Sequence, residues 1–173
     1  MEKYIIKLDG IHLKKTTIED LDFVIQTENH RENKDFVMSW TLKQHRDSLL
    51  DEDKLHLIIE TSDKKRIGYA ILAGLKNTNS SIELVRIVIA DKGKGYGRTS
   101  IKAIQKYTFE NLNAHRLWLD VKDYNERARY LYQSTGFVEE GRLRECIKNG
   151  DRYESLIIMS ILQKEYRKEV RMG

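Results

Sequence analysis

Apolar and polar positions along this chain repeat with two periods, and the switches between them divide it into elements. Residues 10–17, "GIHLKKTT", alternate weakly and predict a first strand. Ile18, Leu21, Val24 and Ile25 then recur at helical spacing, behind a capping box expected from Thr16 and Glu19. "TLKQHRDSLLDED", residues 41–53, predicts a second helix. Three runs rich in β-branched residues follow, "KLHLIIET", "RIGYAILAGL" and "SIELVRIVIA", joined by "SDKK" and "KNTNS", short polar links of the hairpin kind. The third run ends apolar on both faces at Ile87, Val88 and Ile89, as a central buried strand does.

A glycine-rich stretch, "DKGKGYGRTS" at 91–100, separates that strand from a helix carrying Ile101, Ala103, Ile104 and Leu112. "HRLWLDV" predicts a short strand, and "NERARYLYQSTG" a helix opened by Asn125 and closed by Gly136. "FVEEGRLRECI" and "YESLIIMSIL" flank "KNGD", whose Asn-Gly pair predicts a hairpin. The order β-α-α-β-β-β-α-β-α-β-β predicts an α/β fold whose mixed sheet is crossed by helices, not a uniform βαβ alternation.

The 173 residues suffice for one domain with a sizeable core, and no linker, repeat or composition shift divides residues 1–173. Turns must rest on Gly, Asn and Asp, because proline is absent. Basic residues number 31 and acidic ones 27, so the net charge of +4 favours a local anion site over a nucleic-acid partner. One cysteine, Cys146, excludes an intrachain disulfide and a CxxC metal site; it reads as an inert buried thiol. His12, His30, His45, His56 and His115 show no HExxH-like spacing, so no metal is expected. "MEKYIIKLDG" has no signal-peptide pattern, and no apolar run approaches the roughly 18 residues of a membrane span. The expectation is a soluble cytoplasmic protein with no membrane partner.

The glycine stretch narrows the chemistry. Gly93, Gly95 and Gly97 let successive backbone amides turn into one concavity, and the following helix N-terminus adds its own, which suits a phosphate. Lys92, Lys94 and Arg98 around it would repel one another without an anion. A Walker A loop fails, because no Gly-Lys-Ser/Thr occurs, and GxGxxG fails because Arg98 and Ser100 stand where the third glycine belongs. What remains is Lys-x-x-Gly-x-Gly over residues 92–97.

That spacing resembles the pyrophosphate loop of the GNAT acetyltransferases, Gln/Arg-x-x-Gly-x-Gly/Ala, with Lys92 as a departure that keeps the charge and loses a fork of donors. "NERARYLYQSTGF" resembles the same family's Asn-x-x-Ala-x-x-Leu-Tyr-x-x-x-Gly-Phe segment at Asn125, Ala128, Leu131, Tyr132, Gly136 and Phe137. The element order is also that of the family, and the branch most resembled includes ribosomal-protein N-terminal and polyamine acetyltransferases. The resemblance implies a GNAT fold: a predominantly antiparallel seven-stranded sheet, splayed centrally, with about four helices.

It further implies an N-acetyltransferase with acetyl-CoA as cosubstrate. The coenzyme's pyrophosphate would lie on the amides of Gly93, Lys94, Gly95, Tyr96, Gly97, Arg98 and Thr99, beside Lys92, with its pantetheine arm along Ile87, Val88 and Ile89. Asn125 would cap its helix and touch the coenzyme. Tyr132 would protonate the leaving thiolate, since a phenol near pKa 10 can do so within hydrogen-bond reach; composition alone makes it a half-buried aromatic. Tyr130 is expected on another helix face. An alkyl ammonium near pKa 10 must lose a proton before it attacks, and Glu83 is the expected base; the other reading is a solvated charge at a strand end.

Trp40 lines the acceptor mouth or belongs to the core. Glu28, Glu32 and Asp35 are placed on the lip of that mouth, offset by His30, Arg31 and Lys34. The acceptor is a primary amine, on a small molecule or a protein N-terminus, and a homodimer is compatible with the family. A coenzyme A-binding module without turnover is the alternative; the presence of both Glu83 and Tyr132 weighs against it.

Overall fold

The structure, a computed structural model, describes residues 3–173. A single sheet of eight strands runs through it: β1 (Ile6–Leu8), β2 (Ile11–Lys15), β3 (Lys54–Thr61), β4 (Arg66–Ala73), β5 (Ser81–Ile89), β6 (Arg116–Lys122), β7 (Val138–Asn149) and β8 (Arg152–Leu162). Their order across the sheet is β1-β2-β3-β4-β5-β6-β8-β7. Every neighbouring pair is antiparallel except β5 with β6. The helices are α1 (Leu21–Asn29), α2 (Leu42–Leu50), α3 (Tyr96–Lys106), α4 (Glu126–Ser134) and α5 (Gln163–Met172). The three-residue β1 and the C-terminal α5 exceed the seven strands and four helices expected, and α2 stops at Leu50, not 53.

Period-two alternation builds a core on each face. Leu55, Leu57 and Ile59 of β3 join Ile101 and Ile104 of α3 on one face, while Ile58, Tyr69 and Ile71 join Leu21 and Val24 of α1 on the other. The cap before α1 falls one residue later than expected. The Asp20 carboxylate accepts from the Thr17 amide at 3.0 Å and the Thr17 hydroxyl at 3.1 Å, in place of Thr16 and Glu19. Asn125 does cap α4, its Oδ1 accepting from the Ala128 amide at 3.2 Å.

β7 is the outer strand and exposed along nearly its whole length, so Cys146 is an exposed thiol, not a buried one. Among the described residues no helix is long and apolar enough to cross a membrane.

Candidate active site

The one parallel pair is short. β5 and β6 are in register only at Ser81, Ile82 and Glu83 against Arg116, Leu117 and Trp118. Beyond that β5 stays with β4 as far as Ile89, while β6 stays with β8 as far as Lys122. The parting begins at a bulge: Ile71 faces Arg86 and Leu72 faces Leu84, leaving Val85 as the extra residue. The bulge also changes which residues face which core. Leu84 and Ile87 turn to the α3 side, whereas Val85 and Arg86 both turn to the α1 side. A cleft of about 720 Å³ opens through the sheet at this gap, with Ile87, Val88 and Ile89 along one wall and Asp120, Val121 and Lys122 along the other.

The glycine stretch closes one end of the cleft. Gly93 (φ 80°) and Gly95 (φ 77°) both lie in the left-handed region, where a side chain is strained although nothing else crowds either position. Gly95 precedes α3, so the amides of Tyr96, Gly97 and Arg98 have no partner within the helix. Gly97 has another reason to be glycine, since a Cβ there would sit 3.2 Å from Leu131 Cδ2 of α4. Lys92 lines the cleft, and burial, followed by the charge of Arg127, pushes its ammonium below the ordinary lysine value; Glu32 opposes this weakly. Two cations converging beside free amides form a seat for an anion.

Other expected members of the cradle are placed differently. Lys94 pairs with Asp91 at 2.9 Å. Arg98 borders the cleft but spends its guanidinium on α4, donating to the Ser134 carbonyl at 3.1 Å and its hydroxyl at 2.8 Å. Thr99 is not on the wall, and Asn125 is.

Tyr132 projects from α4 into the cleft, its ring edge-on to Phe137 at 5.7 Å. Its hydroxyl makes no hydrogen bond among the described residues. Burial, then the negative charge of Asp120, raise the phenol well above its ordinary pKa, so it stays protonated. Tyr130 is 71% exposed at the rim.

Two half-buried carboxylates sit on the α1 side of the parting. Glu83 pairs in register with Trp118, two residues before Asp120, and only Asp120 reaches the cleft wall. Burial raises both, with the Asp120 charge adding to the rise at Glu83 and the Arg86 charge opposing it at Asp120. Neither makes a hydrogen bond or ion pair among the described residues. Asp120 escaped the sequence reading, yet the alternation of Leu117, Leu119 and Val121 already turned it to the opposite face from the core.

The α1–α2 connection, expected at the acceptor mouth, borders the cleft. Glu32, Phe36, Val37 and Met38 line the cleft, and Lys122 and Tyr124 both donate to the Asp35 carbonyl, at 2.9 and 3.0 Å. Trp40 packs in the α1-side core beneath them. Glu28 is not on the lip: it is fully buried, with His45 as one of its partners. Among the described residues, no group of three His, Cys, Asp or Glu side chains is placed to hold a metal ion.

Residues 20–137 match the sequence profile of the Acetyltransferase (GNAT) family. The chain belongs to the GNAT family. A spermidine N(1)-acetyltransferase of Vibrio cholerae serotype O1 is 32% identical over 160 residues, covering 85% of this chain and 90% of that protein. A putative ribosomal N-acetyltransferase of Bacillus subtilis is 26% identical over 108 residues, 62% of this chain and 59% of its own length. The crystal structure of spermidine N-acetyltransferase from Vibrio cholerae in complex with CoA and spermine superposes with a TM-score of 0.82 at 29% identity, covering 91% of this chain and 98% of that one.

This GNAT protein is therefore an N-acetyltransferase, and its acyl donor is acetyl-CoA. The residues present fit that donor. Free amides at the start of α3 and the Lys92–Arg127 pair suit its phosphates, and the open edge of β5 suits an extended arm beside it.

Proposed function

We propose that this acetyltransferase acetylates a primary amine of a small polyamine by direct attack on the thioester. Acetyl-CoA supplies an activated carbonyl whose C–S bond breaks as the new C–N bond forms. Residues 93–98, with Lys92 and Arg127, hold the phosphates at one end of the cleft. The backbone amides of β5 from Ile87 to Ile89 align the arm, and one of them donates to the carbonyl oxygen. Asp120 takes the proton of the substrate ammonium, with Glu83 behind it as a second acceptor that a water can reach. Tyr132 gives its phenolic proton to the departing sulfur.

The observation that carries this reading is the parting of β5 and β6. It puts a carboxylate and a protonated phenol, neither with a partner among the described residues, on one cleft with an anion seat at its end. The choice of a polyamine is supported by the activity named for the Vibrio relatives and by the carboxylates on the acceptor side.

The test is release of free coenzyme A thiol from acetyl-CoA with spermidine, spermine, simple diamines and a peptide bearing a free N-terminus. Polyamine-dependent release, with the peptide inert, is expected. Release with the peptide alone would move the acceptor to a protein N-terminus. Binding of acetyl-CoA without release by any amine would leave a coenzyme-binding module.

A further inference from the structure

One heavily hydrogen-bonded side chain near the site does not touch the cleft. Glu28, on α1, has no exposed surface. One carboxylate oxygen accepts from His45 Nε2 at 2.9 Å, from the Tyr69 hydroxyl and from the Arg86 guanidinium at 3.3 Å; the other accepts from the backbone amide of Trp40. Behind His45 the chain continues, His45 Nδ1 to His56 Nε2 at 3.1 Å and His56 Nδ1 to the Thr16 hydroxyl at 2.8 Å. With both imidazoles neutral, every atom is satisfied when Thr16 O–H donates to His56, His56 N–H to His45, and His45 N–H to a charged Glu28.

This network ends on the acceptor wall. Arg86 donates to the Met38 carbonyl and lies over the Trp40 ring, 4.9 Å from its centroid, while its own side chain borders the cleft. Residues 36–41 contain no regular helix or strand, so their shape depends on such ties. A buried carboxylate with this many donors has one rotamer available, and it transmits that rigidity through Arg86 and the Trp40 amide.

We propose that Glu28 is a positioning residue for the acceptor: through Arg86 and the Trp40 amide it fixes Phe36, Val37 and Met38 as the wall against which the amine docks. It acts without touching substrate or coenzyme. The inference rests on the proposed acetyl transfer, and it assigns acceptor affinity, not donor affinity, to a residue buried behind the site.

Three measurements test it. In the wild-type protein the Trp40 amide should exchange hydrogen as slowly as the amides of α2; fast exchange overturns the proposal. Glu28→Gln should raise the amine KM at least tenfold and leave the acetyl-CoA KM within twofold. Arg86→Lys keeps the charge but loses the fork that bridges Glu28 and the Met38 carbonyl. It should raise the amine KM similarly and speed exchange in residues 36–41 alone, which decides the matter if Glu28→Gln fails to fold. An unchanged amine KM in Arg86→Lys, or an equal rise in both KM values, overturns the positioning role. If the wild type turns over no amine, the proposed function fails first, and that outcome is distinct from variants that behave as wild type.

Discussion

Arg98 grips Ser134 through two hydrogen bonds, so the helix that offers its free amides and the helix that carries Tyr132 are tied together beside the cleft. A cation in a phosphate-type loop invites assignment to the phosphate, but this one acts on a helix C-terminus, where a positive charge and two donors satisfy orphan acceptors. Arg98→Ala should lower stability by about 1 kcal/mol, and Tm by about 2–4 °C, with a modest rise in acetyl-CoA KM. A large loss of acetyl-CoA affinity at unchanged Tm would instead assign Arg98 to the coenzyme. Heat unfolding and initial rates on one preparation separate the two.

Gly95 and Gly97 sit two residues apart yet answer to different constraints. Gly95 needs a positive φ, and Gly97 needs only room beside the flexible end of Leu131. Gly95→Ala should cost about 1–2 kcal/mol and weaken acetyl-CoA binding, because the first turn of α3 is re-aimed. Gly97→Ala should cost less, since Leu131 can give by a few tenths of an ångström. Calorimetric titration with acetyl-CoA checks the order; equal losses would mean that the left-handed turn contributes nothing to the seat.

Tyr132→Phe removes only an oxygen. Its kcat should fall by about 10²–10⁴ with acetyl-CoA KM nearly unchanged. Burial and Asp120 hold the phenol protonated well above neutrality, so its ionisation should not limit the wild-type rate on the alkaline side. A falling kcat between pH 8 and 9 that vanishes in Tyr132→Phe would count against its role as the acid.

Much of this was legible in the sequence, and the misses share a cause. Asn125 and the left-handed glycines declare themselves by residue type, because few side chains can do what those positions require. The parting of β5 and β6 does not: its bulge falls on Val85, an apolar residue inside an apolar run, and no local rule marks it. Glu28 was misplaced because its charge outweighed its spacing. It follows Leu21 and Val24 at seven and four residues, on the buried face of α1. Cys146 was misplaced for the converse reason, since an outer strand such as β7 keeps apolar residues exposed. In each case the deciding fact is a partner distant in sequence: β6, Arg86, or the absence of a further strand beside β7 among the described residues.

Asp120→Asn should move activity and stability in opposite directions. Its carboxyl is raised in the fold, so at neutral pH the native state holds a charge that the unfolded state solvates better. For a raised carboxylate, stability is gained as pH falls through the folded pKa and is fully present below the unfolded one. A neutral amide should therefore raise Tm at pH 7 while kcat/KM drops by about 10²–10⁴. The charge that raises Glu83 disappears as well, so any residual activity should keep an acid limb displaced to lower pH. A variant with lower Tm and wild-type activity would remove Asp120 from both roles.

His56 gives the opposite sign. Burial, reinforced by the charge of Arg86 and opposed by those of Glu28 and Asp20, lowers its pKa from 6.5 to about 3. The unfolded chain takes up the proton first, so the stability that a neutral His56 contributes is complete above pH 6.5 and is lost as pH falls from there towards 3. His56→Gln should be less stable at pH 7 by about 1–3 kcal/mol, having disturbed the bonds to Thr16 and His45. The difference from wild type should then shrink steadily with acidification, because the variant has no imidazole to charge. Urea unfolding at half-unit steps from pH 7 to pH 4 measures the two slopes. Parallel curves would mean that His56 takes up its proton over the same pH range in the folded protein as in the unfolded chain, and the neutral, one-directional chain of hydrogen bonds leading to Glu28 would have to be redrawn.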